Sequence, residues 1–253
     1  MQERSMARFD NVENISAVGD GATRDGRNLW MVWGLVDPNS FGEFFPYGDF
    51  VGWEEGVKRH FDEEMSAEQR AAFDNWDVNY RETVSRKFTE DGGALSESHQ
   101  RPSEFRLDES GKSLGALLLL TNRLLAVDAK MHELIESLEP GVHQFWPLRI
   151  TQKKGEEYPV PYFGMIVRHF IDSFVPGESV GYEGSQELNF FSIIHSTKKA
   201  YGDLAVSKSM VAGNHLWRER RLKRPNILFS DELQAEMTRQ GLRIPKHCRL
   251  KVV

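Results

Sequence analysis

Residues 128–170 read DAKMHELIESLEPGVHQFWPLRITQKKGEEYPVPYFGMIVRHF, and the period of their apolar positions changes part-way along. Asp128 stands where an N-cap side chain would accept free backbone N–H groups. Met131, Leu134, Ile135 and Leu138 then recur at three- and four-residue steps, which predicts a helix with one apolar stripe. Pro140-Gly141 stops it. From His143 to Ile150, and again from Tyr162 to Phe170, the pattern is strand-like. The turn chemistry of Lys153-Lys154-Gly155-Glu156 predicts an antiparallel connection between the two.

Upstream the chain reads as helical. Ser66 precedes Gln69 by three residues, the spacing of a capping box, and Phe73, Trp76, Tyr80, Val84 and Phe88 continue as one stripe until Gly92-Gly93. Trp53, Val57 and Phe61 give a shorter stripe before it. Outward positions of this pair are Glu54, Glu55, Asp62, Glu63, Glu64 and Glu68. Nearer the start, Leu29-Trp30-Met31-Val32-Trp33 predicts a short buried strand. Gly19-Asp20-Gly21 and Asp37-Pro38-Asn39 predict turns, and Phe41 to Phe50 an aromatic-lined loop. Residues 94–112 read as a polar loop and Ser113 to Arg123 as a short helix. Downstream, Phe190 to His195, Leu204 to Ser207 and Ile227-Leu228-Phe229 are strand candidates. Ser230 caps a last helix with an acidic first turn, ending at Gly241.

Helices first and a mixed, largely antiparallel sheet later, with a C-terminal helix, give an α+β fold rather than alternating βαβ units. The expected organisation is an acidic, helical and aromatic region over 1–112 and an α+β region over 113–253, compatible with one continuous domain. Charge follows this division. Residues 1–126 carry 14 basic against 23 acidic side chains, whereas the whole chain of 253 residues has 32 against 38 and a net charge of −6.

That negative balance argues against nucleic acid or an anionic membrane as a partner. A single cysteine, Cys248, excludes an internal disulfide and a zinc site built on several thiolates. The polar Met1-Gln2-Glu3-Arg4-Ser5 lacks the apolar run of a secretory signal. The greasiest window, Leu114 to Leu120, is far short of the ~20 residues that cross a bilayer, so a cytoplasmic protein is expected.

Reactive chemistry finds little support. The glycine clusters lack the strand–glycine–helix context that cradles phosphates. The eight histidines show no His-x-His or His-Glu-x-x-His spacing, so the residues assign no metal and no cofactor. His247 and Cys248 are adjacent and would point to opposite faces of a strand. Glu54-Glu55 and Glu63-Glu64 lack apolar shielding and read as a solvated surface. Two alternatives stay open. His169 and His195, in predicted strands, would form the centre of a hydrolase or transferase if the fold brings them together. Lys198, Lys199, Lys208, Arg218, Arg220, Arg221, Lys223 and Arg224, with Tyr201 and Trp217 between them, have the composition of a nucleic-acid-binding module. A basic cluster facing the acidic half explains the same residues.

Three segments in this order carry a resemblance. They are Leu134 to Phe145 (LIESLEPGVHQF), His215-Leu216-Trp217-Arg218, and Leu228-Phe229-Ser230-Asp231-Glu232-Leu233 running to Gly241-Leu242. Together they resemble the bacterial polymorphic-toxin immunity protein family numbered eleven, over roughly the last half of the chain. Arg243-Ile244-Pro245-Lys246 departs from the further glycine and aromatic expected after Gly241-Leu242. The resemblance implies a non-enzymatic α+β protein that binds and neutralises a cognate secreted toxin, and it implies no catalytic residue. The toxin contact is expected on the acidic face of Glu54, Glu55, Asp62, Glu63, Glu64 and Glu68, because a one-signed surface speeds capture of a basic partner.

Overall fold

The computed structural model describes residues 32–35, 43–73, 79–89, 95, 97–110, 113–185, 187–195, 197–223 and 226–253. In chain order they form β1 (Val32–Leu35), β2 (Gly48–Phe50), α1 (Trp53–Arg59), α2 (Ala67–Ala71), α3 (Arg81–Arg86), β3 (Glu104–Leu107), β4 (Leu117–Leu119) and β5 (Leu125–Asp128). Next come α4 (Ala129–Leu138), β6 (Gln144–Thr151), β7 (Tyr162–Ile166), β8 (Phe170–Ile171), β9 (Tyr182–Ser185) and β10 (Phe190–Ile193). The chain closes with α5 (Lys198–Gly202), β11 (Ala205–Val206), α6 (Lys208–Val211), β12 (Leu216–Glu219), β13 (Ile227–Ser230), α7 (Asp231–Arg239) and β14 (His247–Val252). The class is α+β. No helix among the described residues is long and apolar enough to cross a membrane.

The elements group into two compact units. The first comprises residues 43–132 and His143–Arg168. Its six-stranded sheet runs β2-β3-β6-β7-β5-β4, antiparallel throughout except for the parallel pair β3–β6. Trp53, Val57 and Val84 from α1 and α3 join Phe50, Phe88, Phe105, Leu118, Trp146 and Ile150 in the core. Fully burying each such side chain contributes about 1.5–3 kcal/mol. Glu104 on β3 is buried in this sheet. It accepts a hydrogen bond from Thr151 Oγ1 at 2.9 Å and is ion-paired with Arg149, its register partner on β6.

The second unit takes Val32–Leu35, Glu133–Val142 and His169–Val253. Its sheet runs β11-β14-β1-β13-β12-β8. Four central strands pair antiparallel, while the outermost pairs, β11–β14 and β8–β12, are parallel. β9 and β10 form a separate antiparallel pair. Trp217, Tyr201, Phe174, Phe191 and Leu228 are fully buried here.

The helix predicted from Asp128 is α4. Asp128 Oδ1 accepts the Met131 N–H at 2.8 Å, and Met131, Leu134 and Ile135 are buried. Gly141 follows at φ +68°, a left-handed C-cap conformation that glycine adopts without cost. The predicted antiparallel pair is β6–β7. Ser66 and Gln69 make both hydrogen bonds of the capping box, 3.2 and 2.8 Å.

Other expectations need correction. Among the described residues the N-terminal half is not helical throughout: its α-helices lie within 53–86, and β1, β2, β3 and β4 flank them. Ser113 to Arg123 is strand β4 plus a short turn Thr121–Arg123, with Asn122 at φ 55°. Leu117 to Leu120 is buried on every side, and such a run carries no periodicity to separate strand from helix. Residues 94–112 contain β3, whose Glu-Phe-Arg-Leu alternation is the period of a strand despite its charges. Of the stripe after Ser66 only Val84 lies within an α-helix, α3; Phe73 follows α2, Tyr80 and Phe88 flank α3, and Trp76 lies outside the described residues. Of Leu29 to Trp33 only Val32 and Trp33 are described, and the strand runs on to Leu35. Gly19-Asp20-Gly21, Asp37-Pro38-Asn39, Gly92-Gly93 and Arg224 also lie outside the described residues.

One close approach is a test of the first unit. A Cβ on Gly164 of β7 would stand 2.4 Å from Cζ2 of Trp146, the cross-strand partner whose indole N–H donates to the Pro102 carbonyl at 2.7 Å. Gly164→Ala should cost about 1–3 kcal/mol through overpacking, read as a drop in thermal midpoint. An unchanged midpoint would mean that Trp146 has room to move.

Candidate functional site

The acidic face belongs to the first unit. Glu54 and Glu55 fall in the first turn of α1, where carboxylates favour the positive helix end, and Lys58 and Arg59 fall in its last turn. A π-helical turn, His60–Glu64, continues α1 and brings Asp62, Glu63 and Glu64 round before the Ser66 cap of α2. The six carboxylates then divide. Glu54 is ion-paired with Arg81 of α3, Asp62 with Lys58, and Glu64 approaches His60 Nδ1 at 3.0 Å. Glu55, Glu63 and Glu68 are exposed and make no ion pair among the described residues.

Beneath them lie rings. Phe61, Phe73 and Tyr80 meet at centroid distances of 5.0–6.3 Å, and His60 stacks on His99 at 3.7 Å. Tyr80 Oη is 3.1 Å from His99 Nε2. Burial and the neighbouring His60 lower the His99 pKa, so this imidazole favours its neutral form.

The three quoted segments meet at Glu139 and His215. Glu139 follows α4, is 2% exposed, and accepts the N–H groups of His215 at 2.8 Å and Leu216 at 3.1 Å, where β12 begins. His169 Nδ1 lies 3.5 Å from the same carboxylate. The His215 carbonyl accepts the Ser230 N–H at 2.9 Å, and its Nδ1 is 3.0 Å from Ser230 Oγ and 3.2 Å from Glu232 Oε2. Ser230 Oγ in turn accepts the Leu233 N–H and caps α7. Burial, with Glu236 nearby, pushes the Glu232 carboxyl up to about 7.

The model of the immunity protein family (Imm11) matches residues 56–244, a span that begins in α1 and takes in all three segments. The chain belongs to the Imm11 immunity protein family. Its match reaches well upstream of the half in which the resemblance was readable. No curated protein matches the chain.

Within this Imm11 chain the reactive alternatives lose their geometric support. His169 stands beside Glu139, whereas His195 is exposed beyond the end of β10. The aromatic residues of the basic window, Tyr201 and Trp217, are 1% and 0% exposed and so present no face to a base. Three of its cations are engaged within the unit: Arg221 donates to the Phe174 carbonyl at 2.7 Å and Lys199 pairs with Asp203 at 2.6 Å, while Arg218 is buried. Among the described residues no three His, Cys, Asp or Glu side chains form a metal-binding group. Cys248 is buried in β14, and burial raises its thiol pKa.

Sequence reasoning missed the buried acids. Glu219 accepts from Ser173 N at 2.7 Å, Ser173 Oγ at 2.5 Å, Phe174 N at 2.9 Å and Arg221 N at 3.0 Å. Burial pushes its carboxyl upward, against these hydrogen bonds, which favour the charge. Its signal was its isolation among cations; that of Glu139 was its place directly before Pro140-Gly141.

Two outcomes follow for this Imm11 chain. Glu139→Ala leaves two buried N–H groups without their acceptor and should cost about 2–4 kcal/mol in urea unfolding, with Glu139→Gln intermediate; a loss below 1 kcal/mol would show that β12 is held otherwise. Glu232 titrates higher folded than unfolded, so its stabilisation is full below about pH 4.5 and is lost as pH rises through about 7. Glu232→Gln should therefore be more stable than the parent at pH 8 by about 1 kcal/mol, after discounting for partial exposure, with the gap closing toward pH 4. Parallel stability profiles from pH 4 to 8 would refute the assignment.

Proposed function

We propose that the chain is a cytoplasmic immunity protein of a bacterial polymorphic toxin system that binds a cognate protein toxin and neutralises it without chemistry of its own. Membership of the Imm11 family is the observation that carries this reading. The toxin-binding surface is assigned to Glu54, Glu55, Asp62, Glu63, Glu64 and Glu68. A stable complex of this kind buries ~1,200–2,000 Å².

The carboxylates have different roles in this reading. Glu54, Asp62 and Glu64 already have partners, so they stiffen the turn between α1 and α2 and hold the field in place. Glu55, Glu63 and Glu68 face solvent and supply the attraction that a basic toxin feels at a distance. Charges at the rim of an interface act mainly on the association rate, and salt screens them.

The test is the triple variant Glu55→Lys, Glu63→Lys and Glu68→Lys, which disturbs none of the ion pairs described. Association with the toxin encoded beside this chain, followed by stopped flow at low salt, should slow at least tenfold. The thermal midpoint should stay within about 2 °C of the parent. Unchanged association at low salt would remove the acidic face from the complex. Failure of the parent chain to bind or inhibit that toxin at all would overturn the immunity reading itself.

A further inference from the structure

The second unit contains a cavity of about 700 Å³ on which toxin binding makes no demand. Trp33, Lys198, Lys246, His247, Arg249 and Lys251 line it, and no acidic side chain does so among the described residues. Strand geometry explains the cluster. His247, Arg249 and Lys251 alternate along β14, so their side chains leave one face of the sheet, while Cys248 and Leu250 are buried on the other. Trp33 of β1 is the register partner of Arg249 and shares that face. α5 packs along β14, with Gly202 over the Arg249 carbonyl and Lys198 at the cavity wall. Four cations from two chain segments therefore surround one hollow beside an indole.

Like charges gathered round a concavity repel one another, and an anion placed among them relieves that repulsion. The volume lies within the 300–1,000 Å³ typical of small-molecule sites and exceeds what a lone inorganic ion fills. Lys251 directs two donors to Glu178, one to its carboxylate at 3.0 Å and one to its carbonyl at 3.4 Å, and an ammonium has three. Trp33 is half-buried with its ring edge-on to His247 at 5.3 Å, a side chain held in place by packing.

We propose that this cavity binds a small phosphorylated anion carrying a planar ring, of the nucleoside-phosphate class. Its phosphates lie among Lys198, Lys246, Arg249 and Lys251, and its ring lies against Trp33. This site is independent of the toxin-binding surface and stands or falls without it.

Calorimetric titration of the full chain with ADP, adenosine and inorganic pyrophosphate tests the assignment. ADP should bind more tightly than either fragment, and its affinity should fall steeply with salt. Lys246 and Arg249 are exposed, so Lys246→Ala with Arg249→Ala should keep the thermal midpoint while weakening ADP at least tenfold. Trp33→Leu should weaken ADP several-fold and leave pyrophosphate binding unchanged, which also shows that the variant is folded. Absence of ADP binding at millimolar concentration, or binding that the double variant leaves intact, would overturn the proposal. So would pyrophosphate binding as tightly as ADP, or a glutamate-rich peptide displacing ADP at lower concentration, which would make the hollow a docking point for an acidic protein segment.

Discussion

The second unit is organised around a carboxyl group that water does not reach. Removing a carboxylate from solvent is costly unless its oxygens receive strong hydrogen bonds. Glu139 meets that demand with the N–H groups of His215 and Leu216, and so fixes where β12 starts relative to the end of α4. The consequences spread through the sheet. The His215 carbonyl receives Ser230, Ser230 caps α7, and β13 between them pairs with both β12 and β1. Glu219 repeats the device at the other end of β12 by gathering the Ser173, Phe174 and Arg221 backbone N–H groups. One strand is thus anchored at both ends by acids that a hydrophobic core would ordinarily exclude.

Local chemistry was readable where it repeats over several residues or depends on neighbours in the chain. The capping box at Ser66, the Asp128 and Ser230 caps, the Pro140-Gly141 stop and the β6–β7 pair all depend on contacts within about thirty residues. The α+β class followed from them. What escaped was decided at long range. β4 is a strand because Leu117 to Leu119 pairs with β5 and is buried all round, and no period in three leucines announces that. β3 looked polar because Glu104 and Arg106 lie in it; Glu104 is tolerated inside only because Arg149 and Thr151 arrive from β6.

The functional reading shows the same division. Three short segments, each ordinary by itself, pointed to the family, and the structure shows that they are contiguous in space: a helix end, a strand start and a helix cap meeting at Glu139 and His215. The six surface acids could be counted from the sequence, but not sorted. Only the π-helical turn at His60–Glu64 and the position of Arg81 separate those that brace the local fold from those that face water. Of the basic window, Trp217, Tyr201 and Arg218 belong to the core, while a further exposed basic stripe lies on β14 beside Trp33.

The wiring of the six-stranded sheet also governs how this protein is made. β1 is hydrogen-bonded on one side to β13 and on the other to β14, with Val32 opposite both Ser230 and Leu250. On a ribosome adding 5–20 residues per second, roughly 10–40 s separate the synthesis of β1 from that of its partners. Through that interval the nascent strand has neither neighbour, and before it ends the first unit, whose last strand is β7, has all its pieces. The first unit can therefore mature before β13 and β14 are made, and the second must await both strands. The exposed strand is an opening for chaperones before then.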